Sequence, residues 1–180
     1  MNRVGKFEKV SFEEFLVAMK KMIEDSGATI EVDEETLHNN IRGVYDRIKL
    51  PTRATSGSAG YDFASTLSFT LAPHQTIKIP TGIRVKIDDG WFLACYPRSG
   101  LGFKYRLQLD NTVGIIDGDY YYSDNEGHIF LKMTNDSYEN KTITVNEGNK
   151  IAQGIFTPYG ITYDDNVESK RNGGFGSTGK

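Results

Sequence analysis

Apolar side chains recur with a helical spacing in the first 48 residues of the chain. Residues 11–25 carry one such stripe: Phe12, Phe15, Leu16, Met19, Met22 and Ile23. Ser11, with Glu14 three residues later, has the pattern of a capping box at the start of this helix. A second stripe follows Asp33, a candidate N-cap, and contains Leu37, Ile41, Val44, Tyr45 and Ile48. We therefore predict a small helical extension over residues 1–48.

From Thr52 onward the helical spacing disappears, and apolar residues alternate with polar ones. The stretch "TIKIPTGIRVKI" alternates in this way, and "DDG" then turns the chain into "WFLACY". The stretches "HIFLKM", "TITV" and "IAQGIF" indicate further short strands separated by turn signals. This pattern predicts an all-β domain, a barrel or jelly-roll-like sandwich, over residues 49–165. Residues 166–180 are rich in glycine and poor in apolar residues, so we expect a flexible C-terminal arm.

The composition narrows the classes of function. The chain has 180 residues, a net charge of −3 and a pI near 5.6, which argues against general nucleic-acid or membrane-surface binding. An anionic ligand would therefore need a local group of cations or a metal ion. Cys95 is the single cysteine, so no intrachain disulfide can form, and its apolar neighbours predict a small buried side chain. Because no long apolar segment and no signal-peptide pattern are present, we expect a cytoplasmic protein.

Two short polar stretches carry residues suited to phosphate chemistry. In "PRSG", Arg98 offers a forked cationic donor, Ser99 a hydroxyl and Gly100 close access to the backbone, although a strand-ending turn has the same composition. In "GIIDGDY", Asp117 and Asp119 would face the same way if both lie on a strand. Partial desolvation after an apolar run would raise the pKa of such a carboxyl toward that of a general base. The alternative is a pair of solvated hairpin carboxylates.

Other polar residues offer weaker signals. Asp62 in "AGYDF" is suited either to capping a turn or to holding the water shell of Mg²⁺. The histidines, His38, His74 and His128, are dispersed without ligand spacing, so we expect surface or turn positions and no zinc site. The terminal "GFGSTGK" matches most of a phosphate-loop pattern, but such a loop must lead into a helix, so we do not expect a phosphate loop here.

Taken in order, five stretches resemble the five motifs of the trimeric dUTPases, the deoxyuridine triphosphate nucleotidohydrolases. They are "SAGYDF", "PRSGLGFK", "NTVGIIDGDY", "KIAQGIF" and "GGFGSTG", and the resemblance runs from about Lys49 to Lys180. It implies a β-rich jelly-roll subunit and a homotrimer in which each active site is shared by all three chains. It also implies cleavage of dUTP between the α and β phosphates, with Mg²⁺, to give dUMP and pyrophosphate.

The same resemblance implies roles for individual residues. Asp117 would be the general base that activates the attacking water. Asn111 and the backbone around Gly114 would read the uracil edge, and Tyr120 would lie beneath the deoxyribose. Asp62 would hold the metal through its water shell. The implied phosphate contacts are Arg98, Ser99, Gly100 and Gln153.

The C-terminal arm would close over a site that belongs to another subunit, with Phe175 stacked on the uracil ring. The implied substrate contacts in the arm are Lys170, Arg171, Phe175, Gly176, Ser177 and Thr178. The family commonly has the sequence Arg-Gly-x-Gly-Gly-Phe-Gly in this motif. Here Lys170 takes the arginine position and Arg171 the next one, so the identity of the cation that reaches the phosphates stays open.

Two segments depart from the family pattern. After Tyr120, "YYSDNEGH" is several residues longer than the turn of many members, and the extension over residues 1–48 has no counterpart. The role of the extension stays open between trimer packing, a surface for a protein partner and added stability.

Two other functions are also open. One is a dUTP-binding regulatory protein that acts through a protein partner, and the other is a member of the related dCTP deaminase branch. Asp117 and the complete arm favour the hydrolase over the first. The uracil-type hairpin favours it over the second.

Overall fold

The computed structural model describes residues 2–168, which form twelve β-strands, three α-helices and one 3-10 helix. The α-helices are α1 (Phe12–Ser26), α2 (Glu34–Arg47) and α3 (Ser99–Tyr105). The strands are β1 (Gly5–Lys9), β2 (Thr52–Arg53), β3 (Tyr61–Ala64), β4 (Phe69–Leu71), β5 (Thr76–Pro80), β6 (Ile83–Ile87), β7 (Trp91–Pro97), β8 (Leu107–Leu109), β9 (Gly114–Ile116), β10 (Phe130–Asn135), β11 (Ile143–Val145) and β12 (Lys150–Pro158). The 3-10 helix covers Gly118–Tyr122.

Both predicted N-terminal helices are present, and each begins at its predicted cap. The Ser11 hydroxyl accepts from the backbone N–H of Glu14 at 3.2 Å at the start of α1. The Asp33 carboxylate accepts from the N–H of Thr36 at 2.7 Å at the start of α2. The two helices share a small apolar core, formed by Val10, Phe12, Phe15, Met19, Leu37 and Ile41. No helix in residues 2–168 is both long and apolar enough to cross a membrane.

A strand that was not predicted from the sequence precedes these helices. β1 pairs antiparallel with β6, so that Phe7 lies opposite Val85. The ring of Phe7 is buried in the main core, where it contacts Tyr61, Phe63 and Phe156. The N-terminal segment is therefore not purely helical, because it contributes a strand and a core side chain to the β structure.

The remaining strands confirm that the protein is mostly β, although the region predicted to be all-β also contains α3 and the 3-10 helix. A five-stranded sheet has the order β2-β3-β12-β7-β9, and a three-stranded sheet has the order β5-β10-β8. Two further antiparallel pairs are β1-β6 and β11-β4. The alternating apolar residues of these strands form one continuous core, with Ile79, Leu93, Leu107, Met133 and Ile151 fully buried. A jelly-roll-like arrangement is consistent with this topology.

Asp117 and Asp119 do not share a strand, contrary to the sequence prediction. β9 ends at Ile116, and Asp117 is the residue before the 3-10 helix that contains Asp119. Asp117 is half-buried, whereas Asp119 is exposed. The two side chains are therefore in different environments, and a strand's alternation does not relate them.

Candidate functional site

A buried carboxylate organises one group of predicted site residues. Asp62 on β3 lies opposite Gln153 on β12 in the sheet register, and Arg98 follows β7 on the other side of β12. The Asp62 carboxylate forms ion pairs with Arg98 and with Lys150, the latter at 2.7 Å between Nζ and Oδ2. Burial by itself would raise the pKa of Asp62, but the hydrogen bonds and charges of Lys150 and Arg98 outweigh this effect and lower it.

Gln153 is held by close packing against the turn before β3. Its Nε2 donates to the carbonyl of Pro97 at 3.3 Å. A Cβ on Gly60 would lie only 2.5 Å from the Gln153 Oε1, so a glycine is needed for this amide to occupy its position. Gly60 and Lys150 had no role predicted from the sequence, although Gly60 contacts Gln153 and Lys150 pairs with Asp62.

Arg98, Ser99 and Gly100 form the start of α3, where the sequence suggested a turn. Arg98 is the cap residue, and Ser99 and Gly100 are exposed in the first turn. The first N–H groups of a helix have no partner within it, and the space around Gly100 is open. These backbone donors and the Arg98 guanidinium therefore lie where β7 ends, beside Gln153 of the neighbouring strand β12.

A second group of predicted residues lines a cavity between β9 and β10. The cavity has a volume of about 480 Å³, and its lining includes Asn111, Gly114, Ile116, Phe130 and Cys95. The Asn111 amide lies 3.6 Å from the position that a Cβ on Gly114 would take. Cys95 is buried as predicted, and burial raises the pKa of its thiol to about 12.

The two strands that flank this cavity are not paired with each other. β9 pairs with β7, whereas β10 pairs with β5 and, only from Met133 onward, with β8. The carbonyl of Lys132 accepts from the backbone N–H of Asp110, on the side of β10 that faces β8. Because backbone groups alternate along a strand, the N–H and C=O of Phe130 point to this same side, at a position beyond the end of β8. Two strand edges with backbone hydrogen-bonding groups thus face a mostly apolar cavity, whose lining also includes the Asn111 amide and the charged residues Lys78, Asp110 and Lys132.

Asp117 and Tyr120 lie where the chain leaves β9. Asp117 borders a wide cleft of about 1260 Å³, together with Trp91, Ile115 and Tyr159. Tyr120 is buried, and its hydroxyl donates to the carbonyl of His128 at 2.7 Å. The hydroxyl is therefore anchored in the protein, so a contact between Tyr120 and a ligand would use the ring.

The sheet register separates Asp117 from Arg98 within one chain. Leu93 pairs with Ile116 and Cys95 with Gly114, so Asp117 lies beside Phe92, six residues before Arg98. At about 3.3 Å per residue, this places the two groups roughly 20 Å apart along β7. One chain therefore carries two separate groups of predicted site residues, called half-sites here. One lies around Asp62, and the other consists of the cavity lining together with Asp117, which borders the wide cleft at the end of β9.

His128 is buried, and the prediction that it is a surface or turn residue was wrong. Its side chain has no exposed area. Nε2 accepts from the N–H of Gly82 at 2.9 Å, and Nδ1 lies 3.1 Å from the Glu14 carboxylate. The alternation of "HIFLKM" gave no signal of this, because it places His128 on the face of the exposed Lys132, opposite the buried Ile129, Leu131 and Met133. The ring is buried by contacts with distant residues, among them Glu14 and Phe15 of α1.

The described residues contain no group of three or more His, Cys, Asp or Glu side chains that could hold a metal ion. The predicted contacts in the C-terminal arm lie outside the described residues: Lys170, Arg171, Phe175, Gly176, Ser177 and Thr178.

Comparison with known proteins gives consistent matches over the β part of the chain. The family model described as dUTPase matches residues 46–179. The deoxyuridine 5'-triphosphate nucleotidohydrolase of Lactococcus lactis is 40% identical over 135 residues, which cover 73% of this chain and 89% of that protein. The corresponding protein of Legionella pneumophila is 41% identical over 143 residues, covering 75% and 90%.

Solved structures give the same result. The dUTPase from Streptococcus mutans superposes with a TM-score of 0.56 at 36% identity, covering 63% of this chain and 88% of that one. The dUTPase from phage phi11 of S. aureus superposes with a TM-score of 0.55 at 25% identity, covering 67% and 90%.

Proposed function

Since the chain belongs to the dUTPase family, we propose that it hydrolyses dUTP to dUMP and pyrophosphate in a site built from both half-sites. The observation that carries the proposal is the cavity between two unpaired strand edges, which is large enough for a nucleobase, with Asp117 directly after the end of β9.

The cavity between β9 and β10 is suited to a planar uracil ring. Its apolar lining favours burial of the ring faces, while the Asn111 amide and the backbone of Phe130 can bond to the ring edge. Directed hydrogen bonds matter here, because excluding one additional methyl group by packing alone provides only about 1–3 kcal/mol of discrimination.

Asp117 is the proposed general base. Its carboxylate accepts a proton from a water molecule, whose oxygen attacks the α-phosphorus of dUTP. The bond between this phosphorus and the oxygen that bridges to the β-phosphate then breaks, and pyrophosphate leaves with the bonding electron pair. Phosphoryl chemistry of this kind depends mainly on positioning and charge stabilisation.

The half-site around Asp62 is proposed to hold the phosphate chain. Arg98 supplies a fixed charge and a forked donor, while Ser99 and Gly100 offer a hydroxyl and backbone N–H groups. Gln153 lies beside them on β12. Lys150 adds a second cation, which helps to offset the negative charge of the triphosphate.

The surroundings of Asp62 do not fit the water-shell role that the sequence suggested. Both carboxylate oxygens face cations, and the described residues form no metal-binding group. We therefore assign Mg²⁺ to the substrate, as a complex with the triphosphate, in accordance with the preference of this ion for phosphate oxygens. Asp62 then acts by holding Arg98 and Lys150 in place.

The separation of the half-sites supports an assembly with shared active sites. A base that activates water must lie within hydrogen-bonding distance of it, and Arg98 must contact the same nucleotide. Because Asp117 and Arg98 of one chain are roughly 20 Å apart along β7, we propose that they come from different copies in a homotrimer. The C-terminal arm is proposed to complete the site.

Pyrophosphate release from dUTP, dCTP, dTTP and UTP, measured with and without Mg²⁺, tests this function. We expect rapid release from dUTP alone, and only when Mg²⁺ is present. A protein that binds dUTP without cleaving it would contradict the proposal, and so would deamination of dCTP.

A further inference from the structure

The N-terminal extension contacts the long turn that follows Tyr120. The Glu126 carboxylate accepts from both the backbone N–H and the hydroxyl of Ser11, with the N–H bond at 2.7 Å. The Tyr121 hydroxyl donates to the carboxylate of Glu8 at 2.6 Å. The two segments that depart from the family pattern are therefore bonded directly to each other.

These contacts depend on an unusual local conformation of the turn. Glu126 has a φ of 55° and the next residue, Gly127, has a φ of 73°, so that two consecutive residues are in the left-handed region. A Cβ on Gly127 would lie 2.7 Å from the Cα of Tyr121, which shows how tightly the turn folds back. This conformation directs the Glu126 carboxylate toward the N-terminus of α1, where a negative charge is favoured.

A second connection runs through the buried His128. Because its Nε2 accepts from the N–H of Gly82, the ring proton lies on Nδ1 and is donated to Glu14 of α1. The His128 ring lies 4.4 Å from the ring of Phe130, measured between centroids. The backbone carbonyl of His128 also accepts from the Tyr120 hydroxyl.

Both connections end at the walls of the proposed nucleobase cavity. Phe130 lines the cavity directly, and Tyr120 follows the strand that forms the opposite wall. The turn from Tyr121 to Gly127 joins the two walls. Its position therefore sets the distance between β9 and β10, which no strand pairing holds together in the described residues.

We propose that Ser11, Glu14 and Glu126 are positioning residues for substrate recognition: the N-terminal extension braces the hairpin that forms the uracil cavity. This inference rests on the proposed function, because it assigns the cavity to dUTP. It gives the extension a role within its own subunit.

A general gain in stability is the competing explanation, and the chain offers a matched control for it. Glu147 also joins the extension to the β structure, through hydrogen bonds from Arg47 at 2.7 and 3.0 Å. It lies in the turn between β11 and β12 and does not line the cavity. Glu147→Gln should therefore weaken the attachment of the extension without moving the cavity walls.

The experiment compares the full-length protein with its Glu126→Gln, Ser11→Ala, Ser11→Thr and Glu147→Gln variants. We expect Glu126→Gln to raise KM for dUTP about tenfold and to reduce the preference for dUTP over dTTP by a similar factor. Ser11→Ala should likewise raise KM and reduce the preference for dUTP. Ser11→Thr should leave both values unchanged, because threonine keeps the hydroxyl. Glu147→Gln should leave KM and preference unchanged.

Amide hydrogen exchange of peptides that cover residues 113–131 provides a readout independent of activity. Exchange should be faster in Glu126→Gln and unchanged in Glu147→Gln. Equal exchange and equal KM in these two variants would overturn the positioning role. If the unmodified protein did not cleave dUTP, the proposed function would fail, whereas the exchange comparison would still decide whether the extension holds the hairpin.

Discussion

The separation of Asp117 from Arg98 predicts that two inactive variants complement each other. Asp117→Asn removes the proposed base, and Arg98→Ala removes a proposed phosphate contact. Each variant alone should be nearly inactive. In a trimer that contains both kinds of chain, one site can combine an intact Asp117 from one chain with an intact Arg98 from another.

The expected activity follows from the geometry of the assembly. In a ring of three chains with both variants present, each site takes Asp117 from one chain and Arg98 from the next. One site in three then contains both intact residues, whichever variant is present twice, so the activity should be about a third of that of the unmodified trimer. If both residues of a site came from the same chain, the mixed trimer would have no intact site.

The assay uses co-expressed chains with two different affinity tags. Trimers that carry both tags are isolated by two successive purifications, and their composition is checked by mass spectrometry. Pyrophosphate release from dUTP is then measured beside each single variant. Mixed trimers that are no more active than the single variants would refute the shared site, and with it the interpretation of the distance along β7.

Three further predictions concern single residues. Asp117→Asn should lower kcat by about 10²–10⁴-fold, the range for loss of a general base, while calorimetry shows retained binding of a non-hydrolysable dUTP analogue. Gly60→Ala should raise KM for dUTP by displacing Gln153, whereas Gly57→Ala, with no atom near the new Cβ, should not; equal kinetics would contradict the packing argument. Hydrogen bonds from neighbouring side chains lower the pKa of Glu8 to about 2. The ionised carboxylate therefore stabilises the folded state at neutral pH, and this stabilisation is lost as the pH falls from about 4.5 toward 2. The thermal midpoint of Glu8→Gln should depend less on pH in this window, and an unchanged pH dependence would show that this carboxyl does not contribute.

Local patterns in the sequence were sufficient for α1 and α2, for the strands β5, β6, β7, β10, β11 and β12, and for the identity of the family. The spacing of apolar residues identifies the buried face of each element, and the caps of α1 and α2 involve residues only three positions apart. The order of the motifs likewise needs no structure, because each motif is a short continuous segment that carries its own chemical groups.

Only the tertiary structure decided how these segments are arranged around a ligand. The strand β1, the buried position of His128 and the cations around Asp62 all depend on contacts between residues far apart in the sequence. Ser11 and Glu126, for example, are 115 positions apart. No periodicity encodes such a pair, because the two residues meet only when the extension has packed against the β structure. The separation of the two half-sites also depends on tertiary structure, because the pairing of β7 with β9 fixes where Asp117 lies relative to Arg98.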